Sequence, residues 1–168
     1  MADAADVDDK APPTLEELVT LLPQRRPFLF VDEFIEVSEQ HAVARYTFRP
    51  NEYFYAGHFP GAPVTPGVIL LEMMTQVASG FVFTWAIAKH GRAATRGMVC
   101  LFAAAEVEFL APVFPGTTIT VKAELAYLRM GVVRARAVAS GPEGSVVARG
   151  TANGAIRRTE EIAHVRGR

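Results

Sequence analysis

Two ionisable side chains are marked out by where they sit. His58 lies in a turn punctuated by glycine and proline, Gly57-His58-Phe59-Pro60-Gly61, and Glu72 is the only ionisable group between it and Lys89. Histidine titrates near neutrality and can therefore take up or release a proton under ordinary conditions. A carboxyl group set into an apolar run costs several kcal/mol unless it is paired or keeps its proton, so a chain that places one there usually needs it. Gln76 follows Glu72 by four residues and shares its helical face. Without further context a turn histidine is more often structural, and a lone carboxyl in apolar surroundings is as often a pairing partner as an acid. The residue types alone admit either proton-transfer chemistry or a structural pair.

The element that carries Glu72 is the most apolar run in the chain. Thr65 can cap a helix and Pro66 suits its first position, so a helix is predicted from there through about six turns of Val, Ile, Leu, Met, Phe and Ala, closed by His90-Gly91-Arg92. A helix apolar on all sides is buried on all sides. Its length would also suit a bilayer. Glu72, Gln76, the central Ser79-Gly80 pair and flanks that read as soluble strands argue against a span.

The rest of the chain must supply the cover. The chain has 168 residues, of which 50% are hydrophobic, and its mean hydropathy is slightly positive, which suggests one domain sharing apolar surface with another subunit. A net charge of −1 gives no nucleic-acid signal, and the single cysteine, Cys100, excludes a disulfide framework or a Cys-rich metal site. Residues 1–13 carry four aspartates and read as a disordered acidic arm without the apolar core of a secretory signal, so a cytoplasmic location is expected. Thr14 to Glu17 has capping-box spacing and opens a short amphipathic helix ended by Pro23. Strands are expected over 28–37 and 42–49 as a hairpin, then over 98–109, 117–129, 132–140 and 145–157, with 159–168 as a loose polar tail.

A short helix, two strands, a long buried helix and four strands are most simply assembled as an α+β fold in which a strongly curved antiparallel sheet wraps the long helix, here over residues 14–158. Pairing two such sheets edge to edge in a homodimer removes one edge from each copy.

The residues from Gly57 to Gln76, GHFPGAPVTPGVILLEMMTQ, resemble the signature of the 3-hydroxyacyl-(acyl-carrier-protein) dehydratases, which have the hotdog fold. LLPQRRPFLFVDEF from Leu21 and FLAPVFPGTTI from Phe109 are similar to two further segments of that family, in the right order. The resemblance implies dehydration of 3-hydroxyacyl thioesters to trans-2-enoyl products without metal or organic cofactor, with an acyl carrier protein as partner. It makes His58 and Glu72 the catalytic pair, contributed by opposite subunits of a homodimer, and it allows assembly into a trimer of dimers. In that chemistry His58 serves as base, Glu72 as acid, the Gly67 N–H at the helix start as donor to the thioester oxygen, and Gln76 as the group that orients Glu72. Met73, Phe81 and Phe83 are candidate walls of an acyl tunnel, against a plainer role as core.

The chain departs from the family pattern at Gln24 and Arg26, where the family usually has His and an aromatic, and at Ala105 to Glu108, where part of a usual basic surface is missing. Arg25, Arg26, Arg92, Arg96, Arg129, Arg134, Arg136, Arg157 and Arg158 are the side chains available to rebuild a patch for an acidic carrier. These differences point to a dedicated pathway, such as polyketide or aryl-polyene biosynthesis. Alternatives are a hotdog acyl thioesterase, a non-catalytic partner subunit of a heteromeric dehydratase, and an isomerase side activity, for which the family branch has Asp where this chain has Glu72. His41, His90 and His164 are assigned no role, and Cys100 reads as a packed thiol.

Overall fold

The computed structural model describes residues 9–165. The capping box forms as expected: the Thr14 hydroxyl accepts the Glu17 N–H at 3.1 Å, and the Glu17 carboxylate accepts the Thr14 N–H at 2.8 Å. It starts α1, Leu15–Leu21, which points Leu18 into the core. β1, Glu33–Val37, and β2, His41–Thr47, make the expected hairpin, whose turn is held by the Ser38 hydroxyl accepting N–H bonds from Gln40 and His41. After a 3-10 turn at Tyr53–Ala56 comes the long helix α2, Gly67–His90, closed by Gly91 at φ 80°. β3, Met98–Phe109, β4, Thr118–Arg129, β5, Val132–Ser140, and β6, Val146–Arg158, follow, and α3, Thr159–Val165, is the last described element.

All six strands form one antiparallel sheet in the order β1-β2-β4-β5-β6-β3, which leaves β1 and β3 at its edges. The expected α+β hotdog architecture is therefore what forms, with α2 packed against the sheet. β4 shows why: Ile119, Val121 and Ala123 are fully buried while Thr118, Lys122 and Glu124 face outward. From the helix side, Met73, Val77 and Phe81 are fully buried too, each burial contributing roughly 1.5–3 kcal/mol for the larger side chains. Gly80 is where helix and sheet come closest, since a Cβ there would lie 2.5 Å from the Phe34 ring. By length and apolar content α2 could cross a membrane, but most of its apolar stretch is buried inside the protein.

The structure differs from the sequence-based expectation at four places. Phe28–Asp32 is not strand, because the middle of the segment bonds to a side chain rather than to a neighbouring strand: Gln76 Oε1 accepts the Phe30 N–H and Gln76 Nε2 donates to the Phe28 carbonyl, both at 2.8 Å. Thr65 does not cap α2, which begins one residue later than expected with Pro66 at its cap; the Thr65 hydroxyl is instead bonded to that of Tyr55 at 2.6 Å. The tail expected to be loose is helical over Thr159–Val165 and is joined to the body by the Thr159 N–H donating to the Gly97 carbonyl at 2.9 Å. Residues 9–13 of the presumed arm dock on the end of α2, where Asp9 accepts the Arg92 N–H through its carbonyl and its carboxylate and Pro13 is buried. Residues 1–8 and 166–168 of the arm and tail lie outside the described residues.

Asp32 ties the segment before β1 to the sheet. Its Oδ1 receives Arg26 and Arg49, each at 2.8 Å, and its Oδ2 accepts the Thr47 N–H at 2.9 Å. The two guanidinium groups also lie 5.3 and 5.2 Å from the centroid of Tyr46. Burial of Tyr46 and its hydrogen bond to Glu52 push its hydroxyl up to about 12. Burial alone would raise the Asp32 carboxyl, but the Thr47 N–H and the two arginines outweigh it and hold the group below the ordinary carboxylate range. A depressed native pKa adds stability above the unfolded value of about 3.9 and loses it as pH falls through the native value. In denaturant unfolding, stability should therefore fall as pH is taken below about 4, and Asp32→Asn should be less stable at pH 7 with a shallower acid limb.

Candidate active site

Glu72 sits half-buried in the second turn of α2, and its Oε1 receives two amides. Gln76 Nε2 donates at 2.9 Å, and Gln24 Nε2, from the segment between α1 and β1, approaches to 3.4 Å. Gln76 is fully buried and cannot turn, because its two ends are bonded to the Phe28 and Phe30 backbone. It therefore presents only N–H to the carboxyl. The expected orienting role of Gln76 has this geometry behind it.

Glu72 and Gln24 stand on the wall of a cavity of about 160 Å³ between α2 and the sheet. The cavity exists because the side chains facing α2 there are small: Ala135 and Ala137 of β5 pair with Ala152 and Gly150 of β6, and Val133 pairs with Gly154. Two of these positions could not be larger. A Cβ at Gly150 would lie 2.2 Å from the Glu106 carbonyl oxygen, and one at Gly154 2.5 Å from Cys100 Sγ. Cys100 lines the same space, and burial pushes its thiol up to about 11, so it stays protonated and unreactive near neutrality.

Met73, Phe81 and Phe83 do not line this cavity; all three are packed in the core. The helix wall is made instead by Leu71, Thr75, Ala78, Ser79 and Val82. Thr75, Ser79 and Val82 follow Glu72 at three, seven and ten residues, a single helical stripe, whereas Met73 and Phe81 lie a quarter and a half turn around from it. That periodicity was available in the sequence for Met73 and Phe81; Phe83, eleven residues after Glu72, falls on the same stripe, and its packing in the core takes it off the wall. Gln24 was visible there only as a departure from a pattern, since nothing local relates it to a side chain 48 positions away.

His58 lies in the loop before α2. The loop folds on itself through Val64 N–H to the His58 carbonyl at 3.0 Å and Ala62 N–H to the Phe59 carbonyl at 3.0 Å, and it is joined to the body by Thr65 N–H to the Val113 carbonyl at 2.8 Å. The imidazole stacks on Phe59 with centroids 4.1 Å apart, and its Nδ1 lies 2.8 Å from the Val64 carbonyl oxygen. A carbonyl can only accept, so Nδ1 carries the proton and Nε2 presents its lone pair. His58 is not among the residues lining the cavity that Glu72 faces. Gly67 is the first residue of α2, where an amide N–H has no intrahelical acceptor, and the ring of Phe109 packs over it within 3.0 Å of where a Cβ would stand. Among the described residues, no group of three His, Cys, Asp or Glu side chains is placed to hold a metal ion.

A family model described as a FabA-like domain matches residues 22–150. The chain belongs to the FabA-like domain family. The matched span contains Gln24, His58, Gly67, Glu72 and Gln76. The 3-hydroxyacyl-(acyl-carrier-protein) dehydratase FabZ of Thermus thermophilus is 37% identical over 131 residues, 77% of this chain and 89% of the relative. The FabZ of Acinetobacter baylyi is 32% identical over 160 residues, 92% of this chain and 97% of the relative. Among solved structures, the dehydratase heterocomplex ApeI:P from Xenorhabdus doucetiae superposes with a TM-score of 0.72 at 17% identity, covering 90% of this chain and 97% of that one. A mutant thioesterase from Pseudomonas aeruginosa superposes at 0.64 with 14% identity, covering 87% and 95%. These FabA-like and thioesterase folds are shared architecture; the sequence relatives are the ones that separate the reactions.

Gln76→Leu should leave the Phe30 N–H and Phe28 carbonyl without partners and lower stability by roughly 2–4 kcal/mol in denaturant unfolding, because each orphaned buried group costs about 1–3 kcal/mol. Glu72→Gln, which keeps the side-chain volume, should change stability by less than about 1 kcal/mol in the same measurement.

Proposed function

We propose that the protein is a cofactor-independent dehydratase of 3-hydroxyacyl-(acyl-carrier-protein) thioesters, acting in the cytoplasm in fatty-acid or related biosynthesis, with its sites shared across a homodimer. The observation that carries this reading is the Glu72 carboxyl, positioned by a locked amide on the wall of a largely apolar cavity, in a chain that also holds His58 with Nε2 available at the family spacing.

His58 Nε2 removes a proton from C2 of the bound acyl thioester. The electron pair moves toward the thioester carbonyl, whose oxygen gains charge and accepts the Gly67 N–H at the start of α2, where free amides and the helix dipole favour an anion. The C3–O bond then breaks, its electron pair leaves with oxygen, and Glu72 gives that oxygen a proton, releasing water and a trans-2-enoyl thioester. Proton exchange with solvent returns His58 to its neutral form and Glu72 to its acid form. The cavity floor of Ala135, Ala137, Gly150 and Ala152 suits the apolar acyl chain.

The homodimer answers a problem of one chain. His58 stands outside the cavity of its own chain, and β3 is a twelve-residue edge strand with exposed Leu101 and Phe102, continued by exposed Phe109, Leu110 and Phe114. A second copy paired at this edge would cover those side chains and bring its His58 to the first copy's Glu72. A trimer of dimers remains compatible with this arrangement. Of the arginines considered for a carrier-facing patch, Arg26 is engaged by Asp32 and Arg92 by Glu17, so Arg129, Arg134, Arg136 and Arg157 are the better candidates to meet an acidic carrier.

Incubation with a 3-hydroxyacyl carrier protein, followed by mass spectrometry, should show loss of one water with wild type and none with His58→Ala or Glu72→Gln. Release of free acid would put the thioesterase reading first, and no change across carriers and chain lengths would favour a non-catalytic subunit. Co-expression of His58→Ala with Glu72→Ala should restore about a quarter of the wild-type sites after random mixing, since only mixed dimers hold one intact pair. No recovery in verified mixed dimers would overturn sharing.

A further inference from the structure

We propose that Gln24 is the substrate-binding residue that accepts the hydrogen of the 3-hydroxyl group, so that the leaving oxygen is held between Glu72 and the Gln24 amide. The assignment rests on the dehydratase reading and deepens it.

Two amides face the Glu72 carboxyl, and they differ in freedom. Gln76 is fixed by backbone bonds at both ends of its amide, with Oε1 held on the Phe30 N–H and Nε2 turned to Glu72. Gln24 is held by one long contact, Nε2 to Glu72 Oε1 at 3.4 Å, beyond the 2.7–3.2 Å of ordinary N–H···O bonds. Its own Oε1 is buried and makes no hydrogen bond among the described residues. An unmet acceptor in such a place is costly, so the resting orientation of this amide is weakly preferred. Turning the amide over brings Oε1 to the carboxyl side, on the wall of the same cavity.

That orientation is poor against Glu72 alone, because two oxygens would face each other. It becomes favourable when a hydroxyl lies between them. The substrate oxygen takes the Glu72 proton, and its own hydrogen needs an acceptor on the cavity wall. Gln76 Oε1 faces the Phe30 N–H, and the Thr75 and Ser79 hydroxyls, which keep lone pairs, are tied by their hydrogens to carbonyls of their own helix. Among the described residues Gln24 Oε1 and Asn153 Oδ1 are the buried, unpaired side-chain acceptors on this cavity's wall, and Gln24 is the one in contact with Glu72. As the C3–O bond breaks, the electron pair leaves with oxygen, and the water so formed keeps one hydrogen on Gln24 and the other on the Glu72 carboxylate. A site built this way favours a 3-hydroxyacyl chain over the saturated chain of equal length, for the latter leaves the amide unpaired.

The test is equilibrium binding in a His58→Ala background, which stops turnover but keeps both Glu72 and Gln24. Calorimetry with 3-hydroxyoctanoyl-pantetheine and octanoyl-pantetheine should give a preference for the hydroxylated probe, and Gln24→Met should reduce that preference roughly fivefold, the size of one neutral hydrogen bond, with little change for the saturated probe. Gln24→Asn, which withdraws the amide by one methylene, should act in the same direction and serves if the Met variant does not fold. An unchanged preference in a folded variant, or equal weakening of both probes, overturns the assignment. Wild-type turnover measured alongside separates the two ideas: turnover with an unchanged preference overturns the role of Gln24 alone, whereas absent turnover overturns the dehydratase reading and this assignment with it.

Discussion

The buried amide of Gln76 is the contact on which the site depends. One side chain of the long helix, fully enclosed, closes the backbone of the Phe28–Phe30 segment and at the same time donates to Glu72. An amide in that position would be costly if any of its groups were unmet. Because Nε2 and Oε1 are both used, the cost is offset and the orientation becomes fixed. The approach of the segment between α1 and β1 is set by the same bonds, and that segment carries Gln24 to the opposite side of the carboxyl. A neutral polar group inside the core thus decides both a loop path and the setting of the Glu72 carboxyl.

Space for a substrate is created by what is missing from the sheet. On β4 the sheet meets α2 with Ile119, Val121 and Ala123, but across β5 and β6 it offers Ala135, Ala137, Gly150, Ala152 and Gly154. Close packing would normally remove such a void. Here the backbone of β3 and the thiol of Cys100 come so close to Gly150 and Gly154 that larger residues cannot enter, and the helix stripe opposite is itself partly small, with Ala78 and Ser79. The cavity is therefore built into the strand pairing, and its rim lies next to the long exposed edge of β3.

Much of this could be read from the residues in order. The alternation in β4, the capping box at Thr14, the glycine closing α2, and the four later strands formed close to where they were expected, since each depends on periodicity or turn chemistry within a few residues. His58, Glu72, Gln76 and Gly67 were legible because a carboxyl and an amide four apart in an apolar helix are conspicuous, and because the motif around them resembles a known family. The failures share a cause. Phe28–Asp32 looked like strand, yet its partner is a side chain from another element; Thr65 looked like a cap, yet Tyr55 holds its hydroxyl; Thr159–Val165 looked loose, yet folds as a helix held to the body at Gly97. Local propensity cannot register a partner tens of residues away.

The chain by itself determined the fold class, the long buried helix and the identity of the groups able to move protons, because these follow from hydrophobic pattern, length and residue type. Tertiary structure alone decided which face of α2 meets open space, that Met73, Phe81 and Phe83 stay off the cavity while Thr75, Ser79 and Val82 line it, and that Gln24 stands beside Glu72 with an acceptor unspent. It also decided that His58 lies away from the cavity of its own chain. Those facts depend on how far elements distant in sequence approach one another, and side-chain volume across the sheet, rather than spacing along the chain, sets that approach.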